Sequence, residues 1–547
     1  MKNIFSKSLF IAAVLTVAAS CDNPAKMAEF ADKVTIKCNP GVLEVVAGEI
    51  NADVTVDFPA DYFSQKAILE VTPVIVYDGG EVEGNPFVYE GGKVNDNYKI
   101  VYKNLGATYT EKVNFKYMPG MEKCQLVARA VVKAKGKQYK FPKDIKIADG
   151  SNTTYMLIEK GGVVSFAADN YQDVIPETEE AQILYLINSA DVRSSEINSK
   201  DIKAYKEALK KLESDSRREV KGTEVVAYAS PDGGEELNGK LSSNREKSAA
   251  KAFGKATKSL NAGEVSTRSI GQDWEGFKDL VGNSNIEDKD LIIRVLSMYS
   301  DPNVREREIK NMSSVYSSLA KNILPQLRRA RFITSVEYTN YTEAELKDLV
   351  QNNIDVLDEE ALLRVATLVK DDAQKIMIYD QAISKFDSDR AKCNATAVYL
   401  KKNNLPAAKK YIAGAKDSEL KKNLQGVIAL REDRQDEAVK YFSQAGELGV
   451  ENLAIVDVLN GKYADAAQKM NGKKGYNKAV IDLLNNDLGK VEGDLGDCKC
   501  PRSSYVKAVA AARIGDAAKA NEYIQKASVK EEFAERAVKD IEFAKVK

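Results

Sequence analysis

The stretch Val225-Val226-Ala227-Tyr228-Ala229-Ser230-Pro231-Asp232-Gly233-Gly234, running on through Asn238 to Arg245, has the makings of a ligand site with half its charge missing. Arg245 offers a planar fork that can donate two hydrogen bonds at once to a carboxylate. Ser230, after the apolar strand, can accept or donate a hydrogen bond but cannot neutralise a cation. Asp232 supplies a negative charge only if the turn Ser230-Pro231-Asp232-Gly233 bends it inward, which Pro231 and Gly233 favour. Asn238 completes the set. The chemistry on offer is recognition of a small charged group, not bond making.

Catalytic alternatives are thin. The 547-residue chain contains no histidine. That removes the usual general base near neutral pH, the commonest metal ligand and every Ser-His or Cys-His nucleophile. No nucleophile-base pairing and no phosphate-binding glycine loop stands out, and Gly79-Gly80 and Gly91-Gly92 read as hairpin turns. The expectation is a non-enzymatic protein with neither cofactor nor metal. With 80 basic and 81 acidic residues there is no surplus charge to track a phosphate backbone, which argues against nucleic-acid binding.

The cysteines divide by position: Cys21, Cys38, Cys124, Cys393, Cys498 and Cys500. Two lysines, a short apolar run and Ala18-Ala19-Ser20-Cys21 open the chain. The run is too short to span a bilayer and reads as a removable export signal, residues 1–20. Ala18-Ala19-Ser20-Cys21 resembles the bacterial lipobox, although Ala18 stands where leucine is usual. The resemblance implies lipidation of Cys21 and anchoring in the outer membrane of a Gram-negative envelope, on either its periplasmic or its outer face. Multiple acyl chains would hold the protein where one chain is marginal. Export permits disulfides, and Cys38 with Cys124, in one candidate domain, are an expected pair. Cys498 and Cys500 are too close for a comfortable internal bridge; pairing of one with Cys393 stays open.

Three folds must position these residues. After an anchor and linker (21–33), residues 34–150 alternate with period two, as in Asp53-Val54-Thr55-Val56-Asp57-Phe58, between Gly- and Pro-rich breakers. That pattern predicts a β-sandwich. Residues 178–340 switch to strand, helix, strand. Ser199 is placed as an N-cap, and Ile202, Tyr205, Leu209 and Leu212 form an apolar stripe behind it. Together they predict helices on a mixed sheet, an α/β sandwich.

Residues 342–547 are helical and repeat. Thr396, Tyr399, Ala408, Ile412 and Ala415 are followed by Gly426, Ala429, Ala438, Phe442 and Ala445. A third window gives Ala508, Gly515, Ala520, Ile524 and Ala527. Small residues sit where antiparallel helices cross closely and bulky ones fill the gap to the next pair. The spacing resembles the tetratricopeptide repeat, with a shorter period and without its tryptophan or closing proline. The resemblance implies an all-α solenoid that binds other envelope proteins on its concave face.

Asn238-Gly239-Lys240-Leu241-Ser242-Ser243-Asn244-Arg245 fits N-x-x-L-S-x-x-R and resembles the helix signature of the OmpA-like C-terminal domain, while Arg328-Arg329 resembles that family's lead-in to its last strand. The family grips the diaminopimelate part of peptidoglycan, a zwitterion, between an arginine and an acid. The resemblance implies that Arg245 takes the carboxylate, but Ser230 stands fifteen residues earlier where the acid belongs. Losing that charge costs on the order of 1.5–3 kcal/mol. The sequence therefore reads as a lipid-anchored scaffold whose repeats bind proteins. The alternative is a tether from outer membrane to peptidoglycan through Arg245, Asp232, Ser230 and Asn238.

Overall fold

The computed structural model describes residues 23–286 and 288–546. The export signal and Cys21 lie outside them. The chain divides into two compact units, one of residues 1–167 together with 387–547, the other of residues 168–386.

In the first unit, eleven strands run from Thr35 to Asn152 among the described residues. Glu49–Phe58 shows why they form: Ile50, Ala52, Val54, Val56 and Phe58 all point inward, and the residues between them are more exposed. It pairs antiparallel with Ala107–Lys116 along its whole length. Cys124–Ala134 pairs antiparallel with both Ile68–Tyr77 and Ile145–Asn152. Val42–Val46 joins these two groups, pairing with Glu49–Phe58 on one side and Ile145–Asn152 on the other. The region is β-rich, as its period-two alternation predicts.

The expected Cys38–Cys124 bridge is not made. Both are free thiols. The strand Thr35–Asn39 pairs with Glu49–Phe58, whereas Cys124 lies opposite Tyr77 and Gly150, so the two thiols stand on strands that are not neighbours.

Helical pairs complete this unit: Asp389–Lys401 with Leu405–Ala413, Glu419–Arg431 with Gln435–Ser443, Val450–Leu459 with Tyr463–Lys469, and Pro501–Ile514 with Ala517–Ala527. The repeat windows fall where predicted, with Ala408, Ala438 and Ala520 fully buried on the second helices. Gly426 shows the reason for a small residue: a Cβ there would sit 2.4 Å from the Phe442 ring. The β-rich domain and the later pairs share one apolar core, in which Leu43, Val45 and Tyr155 belong with Ile455, Val480 and Tyr505. Glu542 reinforces it by accepting from Asn152 at 2.8 Å and Thr154 at 2.9 Å.

The second unit holds a four-stranded sheet in the order Val174–Leu184, Arg329–Thr339, Arg218–Ala229, Glu264–Gln272. The first three are antiparallel neighbours and the last pair is parallel. Helices Lys200–Ser214 and Glu235–Ala256 supply Ile202, Tyr205, Leu209, Leu212, Ala249 and Phe253 to its core. Ser199 caps the first of them by accepting from the Ile202 amide. Between Glu235–Ala256 and Arg329–Thr339 lie the edge strand Glu264–Gln272 and then helices from Trp274 to Leu327 with an apolar cluster of their own. Three further helices, Glu343–Asn352, Glu359–Leu368 and Asp372–Phe386, belong to this unit. The helical chain thus begins at the Thr342 N-cap, and its first three helices fall within the unit that ends at Phe386.

Candidate functional site

Ser230, Asp232 and Asn238 are bonded to one another, and Arg245 reaches the end of the same strand at Tyr228. The strand Arg218–Ala229 delivers Ser230 into the turn, and Glu235–Ala256 carries the other two. Asn238 donates to the carbonyls of Ser230 at 3.1 Å and Gly233 at 2.7 Å, so its amide staples the turn to the helix. Ser230 donates to Asp232 at 2.5 Å. The other Asp232 oxygen takes Arg328 at 3.0 Å, and that guanidinium also reaches the Ser230 hydroxyl at 3.3 Å. Asp232 thus has a counter-ion, and it is Arg328.

Arg245 is fully buried. It donates to the carbonyls of Ser189 at 2.9 Å, Tyr228 at 2.9 Å and Leu186 at 3.2 Å, and lies over the Tyr185 ring at 5.0 Å. Burial pushes its guanidinium down to about 10. Three carbonyl dipoles stand where a ligand carboxylate was expected. In this arrangement Arg245 ties the loop after Val174–Leu184 to the end of Arg218–Ala229.

A second site, which the sequence reading did not single out, lies wholly within the first unit. Residues 159–167 carry no helix or strand and run across the first helices of successive pairs. Four asparagines hold them. Asn477 accepts from the Glu159 amide at 3.1 Å. Asn452 accepts from the Val163 amide at 2.6 Å and donates to the Val163 carbonyl at 3.0 Å. Asn423 reaches the Ser165 hydroxyl at 3.3 Å and is itself bonded by Asn452 at 2.8 Å. Asn394 closes the series, accepting from the Ala167 amide at 2.7 Å and donating to its carbonyl at 3.1 Å.

All four asparagines are buried. A buried amide is tolerated only where its donors and acceptor are satisfied, and here the satisfied partner is mainly another main chain. Val163, Ser165 and Ala167 meet the ladder at every second residue, the repeat of an extended strand. Arg431 adds a bond to the Gly161 carbonyl at 2.8 Å. Gly162 has φ +75°, and a Cβ there would lie 3.2 Å from the Asn452 side-chain oxygen. The segment is therefore a strap gripped through its backbone, and the ladder face of the array already has an occupant.

The signal for this site was present in the sequence. Asn394, Asn423 and Asn452 recur at a constant interval of 29 residues. A search for apolar periodicity passes over them because they are polar.

No family model and no curated protein matches the chain. Among solved structures it is similar to a tetratricopeptide repeat protein from Parabacteroides merdae ATCC 43184, at 13% identity over 36% of this chain and 91% of that one, with a TM-score of 0.29. It is also similar to YrrB, described as a tetratricopeptide repeat protein with an unusual peptide-binding site (17% identity, 35% and 96% coverage, TM-score 0.20). A third is the Cut9–Hcn1 hetero-tetramer of the anaphase-promoting complex (14%, 55% and 55%, TM-score 0.20). These likenesses are low and concern the fold alone. The chain is a multidomain protein with an N-terminal β-rich region and a C-terminal helical-repeat region.

Proposed function

We propose that this chain is a non-catalytic scaffold of the bacterial cell envelope, held in the outer membrane by acyl chains on Cys21, whose helical repeats bind other envelope proteins. The observation that supports it most is the array of stacked helix pairs itself, which already holds one extended segment of main chain on its asparagine ladder. In the free chain the strap covers the ladder, and displacing it costs the bonds described above. Partners are therefore expected on the remaining surface of the repeats, where Ile514, at the end of its helix, and Val529, in the turn after Ala517–Ala527, stand 62% and 76% exposed.

The tether to peptidoglycan is the weaker reading. It requires Arg245 to leave three carbonyls and Asp232 to leave Arg328 before a zwitterion could be held. Co-sedimentation with purified peptidoglycan separates the two readings. The scaffold reading expects no saturable binding by wild type. Saturable binding that free diaminopimelate competes away and Asp232→Asn abolishes would replace it with the tether. Fractionation of a Cys21→Ser variant tests the anchor, which is expected to move from the membrane to the soluble fraction.

A further inference from the structure

Cys498 and Cys500 sit just before the fourteen-residue helix Pro501–Ile514, with Cys500 as its N-cap. Their sulfurs lie 2.9 Å apart, although the sequence spacing argued against an internal bridge. The Cys500 sulfur also lies 3.1 Å from the Ser503 hydroxyl. Burial pushes the Cys500 thiol up, but hydrogen bonds from Cys498, Ser503 and Arg502 outweigh it and bring the thiol down to about 7. A helix N-terminus acts in the same direction.

Cys500 borders a cleft of about 820 Å³ within the first unit, and Cys498 stands directly behind it. Its walls include Tyr476, Phe533, Arg502, Lys530 and Arg536 beside Cys500. The Arg502 guanidinium is held over the Tyr476 ring at 4.5 Å and paired with Glu159. Cys38 and Cys124 lie in the sheets and Cys393 is buried in a helix, so none of them shares this setting. The cleft is large enough for several residues of an extended peptide, with aromatic walls for its side chains.

We propose that Cys498 and Cys500 form a dithiol that exchanges with a peptide or protein disulfide bound in this cleft. Cys500, as thiolate, attacks one sulfur of the bound disulfide. A new S–S bond forms, and the partner's other sulfur leaves as a thiolate that takes up a proton. The Cys498 thiolate then attacks the Cys500 sulfur, closing the 498–500 disulfide and releasing the partner's first sulfur, which is protonated in turn. The partner disulfide gains two electrons and the pair loses two.

The test uses the full chain and oxidised glutathione as the disulfide. Peptide mass spectrometry is expected to place a new disulfide between Cys498 and Cys500 in the wild type. Cys498→Ser is expected to stop at a glutathionyl group on Cys500. In Cys500→Ser the remaining Cys498 is expected to react about tenfold more slowly near pH 7, since it lacks the helix N-cap position. A wild-type chain whose two thiols stay reduced at every glutathione ratio would overturn the proposal, with no variant needed. So would glutathione found on Cys498 in preference to Cys500.

Discussion

Truncating Asn452 to alanine removes three hydrogen bonds at once: two to Val163, at 2.6 and 3.0 Å, and one to Asn423, at 2.8 Å. The side chain is fully buried, so no bulk water stands ready to replace it. The Val163 amide loses its partner outright, while the Val163 carbonyl keeps only a 3.5 Å approach from Asn423. At about 1 kcal/mol net per bond, with a further penalty for the unpaired amide, the strap is weakened by about 3 kcal/mol. That corresponds to roughly a hundredfold larger population of chains with the strap detached. Amide hydrogen exchange at Val163 is the assay, expected to accelerate by about that factor, with a smaller effect at Ala167, which Asn394 still holds. Asn452→Asp keeps an acceptor for the Val163 amide but turns a carboxylate on the Val163 carbonyl and the Asn423 oxygen, so it is expected to protect no better than alanine. Exchange at Val163 within threefold of wild type in Asn452→Ala would refute the ladder.

Gly426→Ala forces a Cβ to 2.4 Å from the Phe442 ring and is expected to cost about 1–3 kcal/mol in denaturant unfolding of the first unit. Arg245→Ala leaves three carbonyls without their donor, and is expected to lower the thermal midpoint of the second unit, read through the fluorescence of the chain's single tryptophan, Trp274. Burial, together with Asp482, pushes the Asp494 carboxyl up to about 6. Its folded form holds a proton that the unfolded form has released, so stability falls as pH rises from about 4 to about 6. Asp494→Asn is expected to raise the thermal midpoint at pH 7.5 relative to wild type and to leave it nearly unchanged at pH 4.

Much of the fold was legible because it rests on one-dimensional periodicity. The alternation through Asp53–Phe58, the stripe Ile202, Tyr205, Leu209 and Leu212, and the alanines of the helix pairs all report which face meets a core. The strand Glu264–Gln272 was not legible. It is an edge strand whose first six residues are exposed, so nothing forces its side chains to alternate. The joining of the β-rich domain to the later repeats is equally invisible along the chain, because Leu43 and Val480 share one core although hundreds of residues separate them. At the arginine turn, residue identities were readable while their orientations were not. Asp232 faces Arg328, nearly a hundred positions on, and only the fold brings that guanidinium close. The ladder escaped notice for a different reason: a buried asparagine is recognised by what it bonds, and its partner strap carries no pattern of its own.

Photo-cross-linking in intact cells, from single positions in the repeats such as Ile514 and Val529 and from Asp232 in the arginine turn, tests the scaffold most directly. The account predicts discrete protein adducts from the repeat positions and none to cell wall from the turn. Adducts to peptidoglycan from Asp232, with the repeat positions silent, would contradict it.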